Sequence, residues 1–285
     1  MIKCIAIDMD GTLLNASQQV TAENIAAIKK AQSQGVEVLI ATGRSFQEAS
    51  FVLANTELEC PMICVNGAEV RAVNKEIMTV NVLEKSIVAS VIEILHKNDV
   101  YFEVYTNKGS YTTDEKKAIS IIVDIFASAN PDVDPKKIMK GAKERLTKGL
   151  VHKIDHYEVL FHSKEEKIYK LLAFSLDKDS LKNAEEALLV MEGIAVAASG
   201  KSNLEITSVN AQKGLALEAY VKARGISLKE TMAIGDNYND LSMFKLVGRA
   251  VAMGNASDQI KAQCDIVTLT NEESGVAKAI LDVLK

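Results

Sequence analysis

Short apolar runs alternate with helical patterns from the first residues of this chain, and that order admits few folds. "IKCIAID" is rich in Ile and ends in polar turn residues, as a buried parallel strand does. Residues 23–34 carry Ile25, Ile28 and Ala31 at helical spacing, and Gly35 follows as a stop signal. "VEVLIAT" (36–42) reads as a second strand and "MICVN" (62–66) as a third, with Gly67 allowing a turn into "AEVRAV". A β-α-β-α-β order implies right-handed crossovers and a parallel sheet. The grammar returns near the C-terminus, where a helix at 213–224 stops at Gly225 and "TMAIGD" (231–236), "RAVAM" (249–253) and "DIVTL" (265–269) read as strands. A capping box from Thr270 to Glu273 is expected to open the last helix.

The middle reads differently. Ile87, Val91 and Leu95 form one stripe of an amphipathic helix over 86–97. "YFEVYT" and "SYTT" look like antiparallel strands joined around Gly109, followed by a helix at 114–128 and a basic stretch. A strand at "YKLLAFS", a helix at 179–191 and strands "IAVAAS" and "LEITS", joined near Gly200, complete it. The expected fold is therefore α/β, with a doubly wound, mostly parallel Rossmann-like core over 1–82 and 208–285. An α+β domain is inserted at 83–207.

Composition narrows the partners. Of the 285 residues 48% are apolar and 25% charged, which suffices for a sizeable core. No stretch approaches the roughly 20 apolar residues that span a bilayer, and the N-terminus lacks the pattern of a signal peptide. No membrane partner is expected. A net charge of −5 argues against general nucleic-acid affinity. Cys4, Cys60, Cys64 and Cys264 are scattered, as reduced thiols of a cytoplasmic protein would be. His152 and His156 have no third ligand nearby and read as ordinary surface or core residues. The six basic residues from Lys136 to Lys148, against one acid, read first as a solvated face. Oligomeric state stays open between monomer and homodimer.

Chemistry gathers where putative core strands end. Asp8-x-Asp10-Gly11-Thr12, Thr42-Gly43-Arg44, Lys213 and Gly235-Asp236-Asn237-Tyr238-Asn239-Asp240 would meet at the carboxyl edge of an open sheet, where ligands bind. The residue types suit phosphoryl transfer. Asp8 could attack phosphorus as a carboxylate, and Asp10 could protonate the leaving oxygen and then deprotonate water. Carboxylate and phosphate repel, so a hard cation such as Mg2+ is required, held by Asp8, Asp236 and a backbone carbonyl. Lys213, the Thr42 hydroxyl and nearby N–H groups would bind phosphate oxygens. Met9 would pack its side chain and turn its N–H to phosphate. Arg44 reads equally as a structural ion pair or a ligand contact, and Asn237 and Tyr238 as loop builders.

"DMDGTL", "ATGRS", Lys213 and "GDNYND" resemble the four motifs of the haloacid dehalogenase-like (HAD) superfamily, in order and in strand-end context. "NGA" at 66–68, the late insertion, "NLEIT" and "AMGNA" at 252–256 point to its Cof-type subclass IIB, mostly magnesium-dependent phosphatases of sugar phosphates, nucleotides or cofactor phosphates. The resemblance implies Asp8 as nucleophile and Asp10 as acid/base. Thr42, Gly43, Lys213, Asn239 and the Met9 backbone would bind phosphate. The metal would sit on Asp8, the Asp10 carbonyl and Asp236, with Asp240 orienting Lys213 or a metal-bound water. The expected substrate is a small phosphate ester. Lys201, Ser202 and Asn203, in the hairpin "SGKSN", are the candidates for contact with its leaving group. A phosphosugar mutase using the same intermediate is the nearest alternative, and a phosphorylated signalling receiver is one from another class.

Overall fold

The structure, a computed structural model, describes residues 1–120, 123, 135–147, 149, 151–200 and 202–284. They divide into two compact units, Met1–Asn81 with Asn210–Lys285, and Val82–Val209.

Strands are numbered along the whole chain. The first unit holds β1 (Cys4–Ile7), β2 (Glu37–Ala41), β3 (Met62–Cys64), β4 (Glu69–Arg71) and β5 (Ile77–Val80), then β12 (Thr231–Gly235), β13 (Arg249–Ala252) and β14 (Ile266–Val267). They form one sheet in the order β14-β13-β12-β1-β2-β3-β4-β5. The six strands from β14 to β3 run parallel, and β4 and β5 add an antiparallel edge. The central strands are apolar on both faces because helices cover both. Cys4, Ala6, Leu39, Ala41, Ala233 and Ala252 share a cluster with Leu217, Tyr220, Met243 and Phe244. The alternate residues Ile5, Ile7, Ile40 and Ile234 are equally buried on the opposite face.

The third strand stops at Cys64, short of the expected Asn66. Val65, Asn66 and Gly67 all adopt left-handed backbone, at φ 49°, 54° and 103°. Such conformations cost roughly 1–3 kcal/mol at a non-glycine residue and persist only where surroundings hold them. Here Val65 N donates to Arg44 O (2.9 Å) and Asn66 N to Thr42 O (3.0 Å). The last helix begins later than the capping box implied, at Gly275. Glu273 Oε2 accepts from both the N–H (3.2 Å) and the hydroxyl (2.7 Å) of Thr270, while Glu273 N donates to the Thr270 carbonyl, so the pair closes a turn. Ser274, left-handed at φ 57°, separates that turn from the helix.

The second unit carries β6 (Tyr101–Thr106), β7 (Gly109–Thr112), β8 (Val151–Lys153), β9 (Ile168–Phe174), β10 (Ile194–Gly200) and β11 (Asn203–Ser208), in the order β10-β11-β9-β6-β7-β8. All neighbours are antiparallel except β7 and β8. Helices Lys85–Lys97 and Lys178–Leu189 bury Val88, Val91, Leu95, Leu181, Ala184 and Leu188 against Phe102, Val104, Leu171 and Ile206. The hairpin around Gly109 and the α+β character match expectation, whereas the short parallel β8 has no clear pattern in the sequence. The helix expected at 114–128 lies partly outside the described residues. Residues Pro135–Thr147 of the basic stretch form a helix. No described helix is long and apolar enough to cross a membrane.

Candidate active site

Strand register brings the motifs together. Ile7 lies level with Ile234 on one side and Ile40 on the other. Asp8 therefore leaves the sheet between two neighbours that release Asp236 and Thr42 two residues beyond those partners. All three meet at the carboxyl edge around β1, where the chain winds off in both directions.

Lys213 is the first residue of helix Lys213–Ala223 and is 1% exposed. A cation at a helix N-terminus is unfavourable by itself. Two carboxylates outweigh that, since Lys213 Nζ donates to Asp8 Oδ1 (2.5 Å) and to Asp240 Oδ1 (2.7 Å). The other oxygen of Asp240 accepts from the N–H groups of Asp236 (3.0 Å) and Asn237 (3.1 Å). Asp240 thus has every oxygen engaged and orients the lysine. Thr12 Oγ1 donates to Asp236 Oδ1 at 3.0 Å, a role the sequence reading left unassigned. Gly11 turns the chain at φ 76°, and a Cβ there would run into the Asp236 carboxylate. Only glycine meets both conditions.

The charges do not balance. Burial raises the Asp8 carboxyl well above its ordinary range, and Asp240 and Asp236 add to the effect while Lys213 opposes it. Asp236 is pushed up to about 6, first by burial and then by Asp240. Lys213 loses to burial but gains more from Asp240 and Asp8, and it stays protonated. One ammonium is shared among like-charged neighbours, so the surplus negative charge falls on Asp8 and Asp236. Among the described residues, a group able to hold a metal is Asp8, Asp236 and Asp240, each offering an oxygen within 4.8 Å of the others. Because both oxygens of Asp240 are occupied, Asp8 and Asp236 are the carboxylates left to face a cation. Oxygen donors with excess negative charge fit a hard divalent ion.

Around this centre stand the other predicted residues. Thr42 is fully buried, and its hydroxyl oxygen accepts from Arg44 N at 3.1 Å, which leaves the hydroxyl proton to donate outward. Arg44 grips Asp10 at both oxygens, Nε to Oδ2 at 2.8 Å and Nη2 to Oδ1 at 2.6 Å, and also donates to Gln18 Oε1. The ion-pair alternative for Arg44 is the one the structure contains. Asn239 Nδ2 donates to Asn66 Oδ1 at 3.1 Å, and an added Cβ on Gly43 would lie 3.2 Å from that oxygen. The Met9 side chain is wholly buried. Asn237 caps the Tyr238–Asp240 turn, and Tyr238 bonds Gln259, so both build the loop.

Two candidates lie in the second unit instead. Ser202 O accepts from Ser175 N at 3.1 Å in the turn before β11, and Asn203 opens that strand, buried. Lys201 lies outside the described residues. Beside Thr12, the sequence reading also missed Asn66 as part of the site; its signal was the motif "NGA", read there only as a family mark.

A family model described as haloacid dehalogenase-like hydrolase matches residues 5–280. The 5-amino-6-(5-phospho-D-ribitylamino)uracil phosphatase YwtE of Bacillus subtilis is 37% identical over 284 residues, covering 99% of this chain and 98% of its own. Phosphatase YwpJ of the same organism is 34% identical, covering 99% of this chain and all of its own length. The pyridoxal phosphate phosphatase YbhA of Escherichia coli is 26% identical, covering 98% and 97%. Among solved structures, a haloacid dehalogenase-like hydrolase from B. subtilis aligns with TM-score 0.89 at 34% identity, covering 98% of this chain and 99% of that one.

Proposed function

Because this chain belongs to the haloacid dehalogenase-like hydrolases and is a phosphoric monoester hydrolase, we propose that it cleaves small phosphate esters through an aspartyl-phosphate on Asp8, with Mg2+. The observation that carries this reading is the triad of Lys213 between Asp8 and Asp240, beside Asp236. It fixes one carboxylate oxygen of Asp8 and leaves the other to react. When bound to Asp8, Asp236 and the Asp10 carbonyl, a magnesium ion supplies the positive charge that lets carboxylate and phosphoryl group approach.

Asp8 attacks phosphorus, the bond to the leaving oxygen breaks, and Asp10 gives that oxygen its proton. Water then attacks the aspartyl-phosphate, Asp10 takes a proton from it, and inorganic phosphate leaves with Asp8 restored. Thr42 Oγ1–H, the Met9 and Gly43 backbone N–H groups, Lys213 and Asn239 hold the phosphoryl oxygens throughout. Arg44 grips both oxygens of Asp10 in the resting site, so Asp10 must leave that pair and carry a proton when it meets the leaving oxygen. Selection of the ester is assigned to the unit Val82–Val209, with Ser202, Asn203 and Lys201 as candidates.

Phosphate release from a panel of sugar phosphates, nucleotides, pyridoxal phosphate and the phosphoribitylamino-uracil ester tests the reading. The relatives' names put the last two first in the panel. Release is expected with magnesium and should stop with a chelator. Isomerised sugar phosphate with little free phosphate would instead indicate a mutase.

The raised carboxyls make a second prediction. The folded protein holds the Asp236 proton up to about 6, against the ordinary aspartate value of 3.8, so it binds that proton more tightly than the unfolded chain does. Its favourable contribution is complete below 3.8 and is lost as pH rises through 6. A cation binds the deprotonated carboxylates and reverses the loss. Magnesium should therefore raise the melting temperature more at pH 8 than at pH 5, as thermal unfolding will show. A shift at pH 5 equal to or larger than that at pH 8 would contradict this.

A further inference from the structure

Three successive left-handed residues are more than a strand reversal needs, and two of them, Val65 and Asn66, carry side chains. For a β-branched residue such as Val65 the conformation is a genuine outlier. Strain of this kind concentrates where a function fixes the backbone. The turn makes unusual contacts. Its N–H groups bond the carbonyls of Thr42 and Arg44, the residues that bracket Gly43. Gly67 lies so close to the main chain of Gln212, the residue before Lys213, that a Cβ would collide with it. Asn81 Nδ2 donates to Gly67 O at 2.9 Å, and Asn81 N to Ala68 O at 2.8 Å. From this braced position the Asn66 carboxamide accepts the hydrogen bond from Asn239.

We infer that Asn66 is a positioning residue, and that the left-handed turn holds its carboxamide where it aims Asn239 at a phosphoryl oxygen. Asn239 is exposed and belongs to a short loop, so its amide has little else to fix its rotamer. An amide nitrogen carries two protons. One is spent on Asn66, and that bond turns the other outward, toward an acceptor between Asn239 and Thr42. Asparagine suits position 66 twice over, since it tolerates left-handed backbone better than most residues and brings the acceptor. The role rests on the phosphatase reading and adds to it a residue that acts only through another.

The variants Asn66→Gly, Asn239→Ala and their combination separate side chain from backbone. Glycine keeps the left-handed turn without strain, so Asn66→Gly should melt at or above the wild-type temperature. It should raise KM for an aryl phosphate about tenfold, the worth of one hydrogen bond to a charged group. Inorganic phosphate, titrated calorimetrically in the presence of magnesium, should bind more weakly by a similar factor. The double variant should be no worse than Asn239→Ala alone. Wild-type phosphate affinity in Asn66→Gly, or losses that multiply in the double variant, would overturn the role. The titration needs no turnover, so it stands even if no ester in the panel is hydrolysed. That outcome would instead count against the phosphatase reading.

Discussion

Asp8→Asn is expected to give a folded protein whose hydrolysis of an aryl phosphate falls roughly 10^4-fold or more, the loss typical of a missing nucleophile. An amide of the same shape cannot form the acyl phosphate, and no neighbour replaces it. Asp236 and Asp240 are held by Thr12, Lys213 and backbone N–H groups. The fold should not suffer. Asp8 is buried among carboxylates and its carboxyl is pushed up, so a neutral group there relieves repulsion. Lys213 keeps Asp240 as its partner. The melting temperature should stay level or rise, as often happens when a catalytic charge is removed. Undiminished hydrolysis by this variant would end the assignment.

Lys213→Met should be the more damaging change to the molecule. Methionine fills a similar volume, but it leaves Asp8 and Asp240 buried with no cation between them. Removing one partner of a buried ion pair costs about 3–5 kcal/mol. Activity should fall by roughly 10^3-fold, because a preorganised charge at the phosphoryl oxygens is lost along with the alignment of Asp8. Urea unfolding and steady-state kinetics on the same sample measure both. Adding Asp240→Asn should restore part of the stability and none of the activity. A Lys213→Met protein as stable as wild type would mean that the cluster is neutralised in another way.

What the sequence could disclose follows from what is local. Asp8, Thr42 and Asp236 each follow an apolar run, and parallel strands necessarily put such residues on one edge. The sheet, the inserted α+β unit and the convergence of the motifs were legible for that reason. Arg44 was not resolved by the same logic, because its partner Asp10 lies 34 residues away and only the fold brings them into bidentate contact. Asn66 shows the limit more sharply. Its partner is 173 residues distant, and its left-handed backbone depends on bonds to Thr42 and Arg44 that no sequence pattern encodes. The Thr270 capping box misled in the other direction. Glu273 does accept from the Thr270 N–H, yet the Thr270 hydroxyl donates to Glu273 instead of accepting from its N–H, and Ser274 breaks the chain's direction before the helix starts.

The central claim is that phosphate passes through a covalent bond to Asp8. Rapid mixing of wild-type protein with substrate and magnesium, followed by acid quench and mass spectrometry of the N-terminal peptide, tests it most directly. Phosphate should be found on Asp8 in the first turnover and should decay as free phosphate appears. Product formation in that turnover with no phosphate on Asp8 at any time, or with phosphate on another residue, would contradict the account.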